Sequence, residues 1–138
     1  MYTSTTQIRV RYGETDQMGY LYYGFYALYY EQARTEAIRQ LGLTYKELET
    51  AGIIMPVVEL QSRYLRPALY DDLITVKTTI ETLNNHSSEI VFISRLFNEA
   101  GKLLNEGQVK LVFLNRETKK KIAIPTLLYN RLLPFFKN

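Results

Sequence analysis

The sequence predicts an α+β domain over residues 1–138, in which an antiparallel sheet of about five strands wraps one long central helix. Three observations predict it. A single long helical stretch follows one early strand. The apolar spacing then changes, near Ile53, from about 3.6 residues to about two and stays there. Short turn sequences separate the later strands, which favours antiparallel neighbours.

Taken in order, Thr6 to Tyr12 alternates and carries β-formers, giving a first strand. Gly13 to Gly19 is polar and turn-like. Gly24 to Leu41 favours a helix, with Tyr26, Tyr30, Ala33, Ala37 and Leu41 on one face and Gly42 as its stop. Ala33 and Ala37 would let a sheet approach closely. Thr44 and Glu47 have capping-box spacing, so a short second helix should run to Ala51 and end at Gly52. Ile53 to Arg66 reads as a strand stopped by Pro67 and the Asp71-Asp72 turn. Ile74, Val76, Thr78, Ile80 and Thr82 share one face of the next. Turns at Asn84–Ser87 and Asn98–Gly101 bound a strand from Glu89 to Phe97, and a last strand runs to Leu114 before the Asn115–Thr118 turn. These four strands are expected to form a meander. Val91, Ile93, Phe97, Leu104 and Val112 would make its second face apolar, which points to an oligomer. Pro125 to Phe136 should be a short helix or an apolar tail.

Composition narrows the function. The 138 residues are 46% hydrophobic and 22% charged, enough for a core, and no cysteine is present. That excludes disulfides, thiolate metal ligands and a Cys nucleophile. Met1 to Gln7 has neither a basic nor an apolar signal region, and no apolar run reaches the ~20 residues of a membrane span, so a cytoplasmic location is expected. The net charge is +3, with Arg116, Lys119, Lys120, Lys121, Arg131 and Lys137 crowded near the end. Lys119 to Lys121 read as a solvated turn. A nucleic-acid-binding face would spread its basic residues more widely, so no nucleic acid is expected.

Seven of the twelve tyrosines lie between Tyr12 and Tyr30. Tyr combines an apolar ring with a hydroxyl that needs a partner, which suits a half-wet cleft or an interface as well as a core. Inside this cluster Asp16 stands between the first strand and the long helix. A carboxylate there can be a turn or cap residue. It also sits near helix-start N–H groups at Tyr23 and Gly24, which lack intrahelical partners and can bind an anion or oxyanion. His86 is the only histidine and falls in a predicted turn. A Cys–His pair is therefore excluded and a His-rich zinc site lacks ligands. No dinucleotide or phosphate-loop fingerprint occurs, and no cofactor is expected. A carboxylate working with backbone N–H groups remains. Glu31 and Arg34, three apart on the helix, read as an ion pair.

The segment Arg11-Tyr12-Gly13-Glu14-Thr15-Asp16-Gln17-Met18-Gly19-Tyr20-Leu21-Tyr22-Tyr23-Gly24-Phe25-Tyr26, continued by Tyr30-Glu31-Gln32-Ala33-Arg34, resembles the signature of the hotdog-fold thioesterases. It is most similar to the 4-hydroxybenzoyl-CoA thioesterase family and its Tol-Pal-associated acyl-CoA thioesterase branch. Tyr64-Leu65-Arg66-Pro67-Ala68 with Asp72 matches their turn after the second strand. The resemblance implies an acyl-CoA thioesterase in which Asp16 is the nucleophile or general base and the Tyr23 backbone N–H polarises the thioester carbonyl. It places Tyr12 and Gly24 with the substrate, and His86 and Ser87 near the coenzyme A moiety. It further implies a dimer or dimer of dimers with shared sites. The Tol-Pal-associated branch commonly has His where this chain has Tyr23, so a side-chain role there is not implied. Two alternatives stay open, an acyl-carrier-protein thioesterase and a non-catalytic acyl-CoA-binding module. A dehydratase would need a histidine in the cleft.

Overall fold

The computed structural model describes residues 1–137. Strand β1, Tyr2–Arg9, begins the chain and buries alternate residues from Tyr2 onward. It thus starts four residues before the predicted strand and ends earlier, because Tyr12–Glu14 closes into a 3-10 turn. A second 3-10 turn, Tyr23–Phe25, leads into helix α1, Tyr26–Gln40. The predicted helical face is the buried one: Tyr26, Tyr30, Ala33 and Ala37 are each at most 3% exposed. Helix α2, Tyr45–Thr50, has its expected cap, with the Glu47 N–H donating to Thr44 Oγ1 at 3.1 Å.

The predicted strand from Ile53 to Arg66 is two. β2, Ile53–Ile54, and β3, Val57–Tyr64, are separated at Pro56, which cannot donate to a ladder. Strands β4, Leu73–Ile80, β5, Glu89–Phe97, and β6, Leu103–Val112, follow the predicted order. The short β7, Leu114–Asn115, pairs with β2.

The main sheet runs β1-β4-β5-β6-β3, all antiparallel, and wraps α1. The expected meander is therefore incorrect in one place: β3 pairs with β6 and not with β4. The residues between β3 and β4 do not close a hairpin. They cross the end of the sheet, where Ala68 O accepts the Leu21 N–H at 2.7 Å and Gly19 O accepts the Tyr70 N–H at 3.1 Å. The connection is thus laced to the loop before α1, and β3 is carried to the far edge. A register irregularity opposite Leu96 and Phe97 also turns Leu104 into the core, 1% exposed, so it is not on the second face. Val112 is likewise buried.

The core lies between α1 and the inner face, with Ile74, Val76, Phe92, Leu96 and Leu111 almost wholly buried. Tyr30 reaches across it: its hydroxyl bonds Asn105 Oδ1 and, at 2.6 Å, Ser62 Oγ. Gly107 is required beneath that ring, because a Cβ there would overlap it. Helix α3, Thr126–Leu132, buries Leu128 and Leu132, and Arg131 Nη1 donates to Leu41 O at 3.0 Å at the end of α1. Among the described residues no helix is long and apolar enough to cross a membrane.

Candidate active site

The chain from Asp16 to Gly19 is a tight turn. Asp16 O accepts the Gly19 N–H at 3.0 Å, and Gly19 has φ +77°, a conformation open to glycine at little cost. Asp16 Oδ1 accepts N–H bonds from Met18 at 2.9 Å and Tyr20 at 3.2 Å, while the Asp16 N–H donates to Tyr20 O at 2.8 Å. One carboxylate oxygen is thus fixed by the backbone. Among the described residues Oδ2 has no partner, and the side chain is half-buried.

Eight further residues line a pocket of 320 Å³ with Asp16: Tyr20, Leu21, Tyr23, Tyr26, Tyr64, Leu65, Arg66 and Pro67. Three stretches meet there: the Asp16 turn, the start of the helix and the Tyr64–Pro67 end of β3. The crossing connection that overturned the meander is what brings the third stretch in. Tyr26 and Tyr64 meet edge to face, their centroids 5.0 Å apart. Burial pushes the Tyr26 hydroxyl up, against an opposing effect of the Ala68 backbone, and the nearby Tyr64 and Asp16 add to the rise. The N–H groups of Tyr23 and Gly24 find no acceptor among the described residues, as expected for the first positions of a helical turn. The pocket lining therefore combines aromatic rings with Asp16, one of whose carboxylate oxygens is unpartnered, and Tyr23, whose N–H is unpaired.

Asp16 also lines a second, larger depression with Tyr12, Gly13, Thr15, Gln17, Gly19 and Tyr70. Tyr12 packs against Tyr70 there, centroids 5.7 Å apart.

Behind the turn lies Glu14, only 8% exposed. Its Oε1 accepts from Tyr29 Oη at 2.7 Å and from the Arg11 N–H at 3.0 Å; Oε2 meets Arg11 Nη2 at 3.3 Å. Burial pushes the Glu14 carboxyl up, but the bonds from Arg11 and Tyr29 and the guanidinium charge outweigh it and hold it below the ordinary range.

The family model described as the thioesterase-like superfamily matches residues 10–132. This chain belongs to the thioesterase-like superfamily. Within it, YneP of Bacillus subtilis is 34% identical over 122 residues, 88% of this chain and 87% of that protein. The acyl-CoA thioester hydrolase YbgC of Escherichia coli is 32% identical over 118 residues, 86% of this chain and 87% of its own. A DHNA-CoA thioesterase from Staphylococcus aureus superposes with a TM-score of 0.87 at 34% identity, covering 100% of this chain and 97% of that one. The architecture is the hotdog fold that the motif resemblance implied.

In this thioesterase-like chain the predicted residues are partly gathered. Asp16 and Tyr23 share the aromatic pocket, with Gly24 beside Tyr23, and Tyr12 lies across Asp16 in the second depression. His86 and Ser87 are elsewhere. They occupy the turn between β4 and β5, whereas the Asp16 turn neighbours the opposite end of β4, ~25 Å away at ~3.3 Å per residue. His86 is exposed, its N–H held by Asn84 Oδ1 at 2.9 Å. The expected Glu31–Arg34 ion pair is absent among the described residues. Arg34 turns inward, 7% exposed, and its charge acts on the Tyr45 hydroxyl, whereas Glu31 faces solvent. Sequence reasoning did not single out Glu14, Tyr20, Tyr64 or Arg66. Tyr26 belongs to the tyrosine cluster that suits a core, an interface or a half-wet cleft, and its helical spacing alone does not distinguish these.

Proposed function

We propose that this chain is an acyl-CoA thioesterase, acting as one domain over residues 1–138, that hydrolyses an acyl-CoA thioester to a free acid and coenzyme A. One observation supports the reading: Asp16, whose Oδ2 has no partner among the described residues, and Tyr23, whose N–H has none, line a single aromatic pocket. The Tyr23 N–H, aided by that of Gly24, polarises the thioester carbonyl and holds the oxyanion as the carbonyl carbon becomes tetrahedral. Asp16 Oδ2 either takes a proton from the attacking water or itself attacks, giving a mixed anhydride that water then opens. In both routes the C–S bond breaks, the thiolate leaves and is protonated, and water supplies the new acid oxygen. The acyl group lies against Tyr26 and Tyr64. Tyr12 borders the arm that leaves through the second depression. No step requires a cofactor.

The chain's similarity to the acyl-CoA thioester hydrolase YbgC and its membership of the thioesterase-like superfamily support this reading. We further propose a homo-oligomer, a dimer or dimer of dimers, in which His86 and Ser87 serve a partner's site, since they lie too far from Asp16 of their own chain. The free edge of β3 supports it, with Val58 and Leu60 about half exposed, 54% and 48%. A cytoplasmic location follows from the substrate proposed.

The test is thiol release from a panel of acyl-CoA esters and, in parallel, from acyl groups carried on acyl carrier protein. The chain has no thiol of its own, so background is low. Turnover of a CoA ester is expected. Turnover confined to the carrier-protein esters assigns the alternative donor, and binding of acyl-CoA without turnover overturns the enzymatic reading.

A further inference from the structure

Glu14 is a nearly buried carboxylate for which the hydrolysis has no chemical use, and its bonds converge on the parts that do the chemistry. Its side chain accepts from Tyr29, in the first turn of α1, at 2.7 Å and from the Arg11 N–H at 3.0 Å. Its own backbone oxygen accepts the Tyr22 N–H at 2.9 Å. Two residues after Glu14 comes Asp16, and one residue after Tyr22 comes Tyr23. The same residue thus ties the base or nucleophile to the oxyanion donor.

Stability alone is a poor reason for this arrangement. Burying a carboxylate costs desolvation that its bonds must overcome before they stabilise anything, and an apolar group in the same space often serves stability as well or better. The Arg11 guanidinium is largely exposed, 80%, so that ion pair adds little. What a carboxylate oxygen supplies, and an apolar group would not, is an acceptor for Tyr29 and Arg11 together.

We propose that Glu14 is a positioning residue which, through Tyr29 and Tyr22, holds the Asp16 turn against the start of α1 so that Oδ2 of Asp16 and the Tyr23 N–H face one carbonyl. It rests on the proposed thioester hydrolysis. Misplacing reacting groups by about 1 Å can cost on the order of 10²-fold in rate, so loosening this tie should act on kcat and leave KM nearly unchanged.

The experiment compares wild type with Glu14→Gln, Glu14→Ala and Tyr29→Phe on one hydrolysed acyl-CoA ester, with thermal melts and ¹H–¹⁵N spectra of the free proteins. Gln keeps an oxygen for both donors, so it should hold kcat within about threefold, whereas Tyr29→Phe and Glu14→Ala should lose roughly 10- to 100-fold with KM unchanged. In Tyr29→Phe the amide signals of Asp16, Tyr22 and Tyr23 should move, and in Glu14→Gln they should stay close to wild type. Should Glu14→Ala fail to fold, Tyr29→Phe carries the comparison, because it keeps the buried ring. A lower melting temperature with wild-type kcat and unmoved amides in Tyr29→Phe would mean the tie only stabilises the fold. Equal losses in Glu14→Gln and Glu14→Ala would mean that charge matters and position does not. If wild type turns over no CoA ester, the proposed function fails, and the amide shifts alone decide whether Glu14 positions the turn.

Discussion

At Asp16 the backbone divides the work between two oxygens. Oδ1 is held by the N–H groups of Met18 and Tyr20, and the turn that supplies them closes on Gly19. Oδ2 has no partner among the described residues and is available for the proposed chemistry. This division could not be read from spacing, because an Asp in a turn before a helix has the same local signature whether it caps or reacts. Elimination of Cys and His chemistry favoured Asp16, and the motif gave it a reaction. Glu14, two residues earlier, was illegible for a different reason: its burial depends on Tyr29, which reaches it only once the helix has docked. Its titration gives a residue-scale prediction. The Glu14 carboxyl is held below its ordinary value of 4.5 in the folded protein, so its contribution to stability is full above that value and is lost as pH falls through the lowered folded value. Arg11 and Tyr29 are the groups that face it. Melting temperatures between about pH 6 and 2 should fall less steeply for Glu14→Gln than for wild type, and parallel curves would contradict the assignment.

Helix α1 and the α2 cap were legible because each rests on local physics, a 3.6-residue apolar face and a Thr hydroxyl that satisfies the orphan N–H of Glu47. The position of β3 was not legible, since hairpin and crossing connections between β3 and β4 share the same turn residues. Only the bonds from Ala68 and Gly19 to the loop before α1 decide it. That crossing also delivers Tyr64 to Pro67 to the pocket, so the part of the order that was misread is the part that builds the site. The contact between α1 and β6 yields an element-scale prediction. Gly107→Ala should destabilise the fold by roughly 1–3 kcal/mol in urea unfolding, because Tyr30 must leave its bonds to Asn105 and Ser62 to admit a methyl group. Wild-type stability in that variant would contradict the close approach.

For the whole molecule, the apolar second face expected from the sequence is less apolar than it reads. Leu104 belongs to the core, Lys77 lies 5.3 Å from the Phe97 ring centroid, and Arg95 pairs with Glu106 at 3.0 Å. The free edge of β3 is the better reason to expect association. Sedimentation equilibrium should give a multiple of the 16.2 kDa chain, and Leu60→Lys on that edge should shift the mass toward one chain. A wild-type mass of a single chain would remove the shared-site role proposed for His86 and Ser87. The central claim, however, concerns one carboxylate in one pocket. The most direct measurement is thiol release from a hydrolysed acyl-CoA ester by wild type and Asp16→Asn, with folding checked by circular dichroism. The account predicts a folded variant whose kcat falls by about 10²–10⁴-fold; a folded Asp16→Asn protein that turns over the ester at the wild-type rate would contradict it.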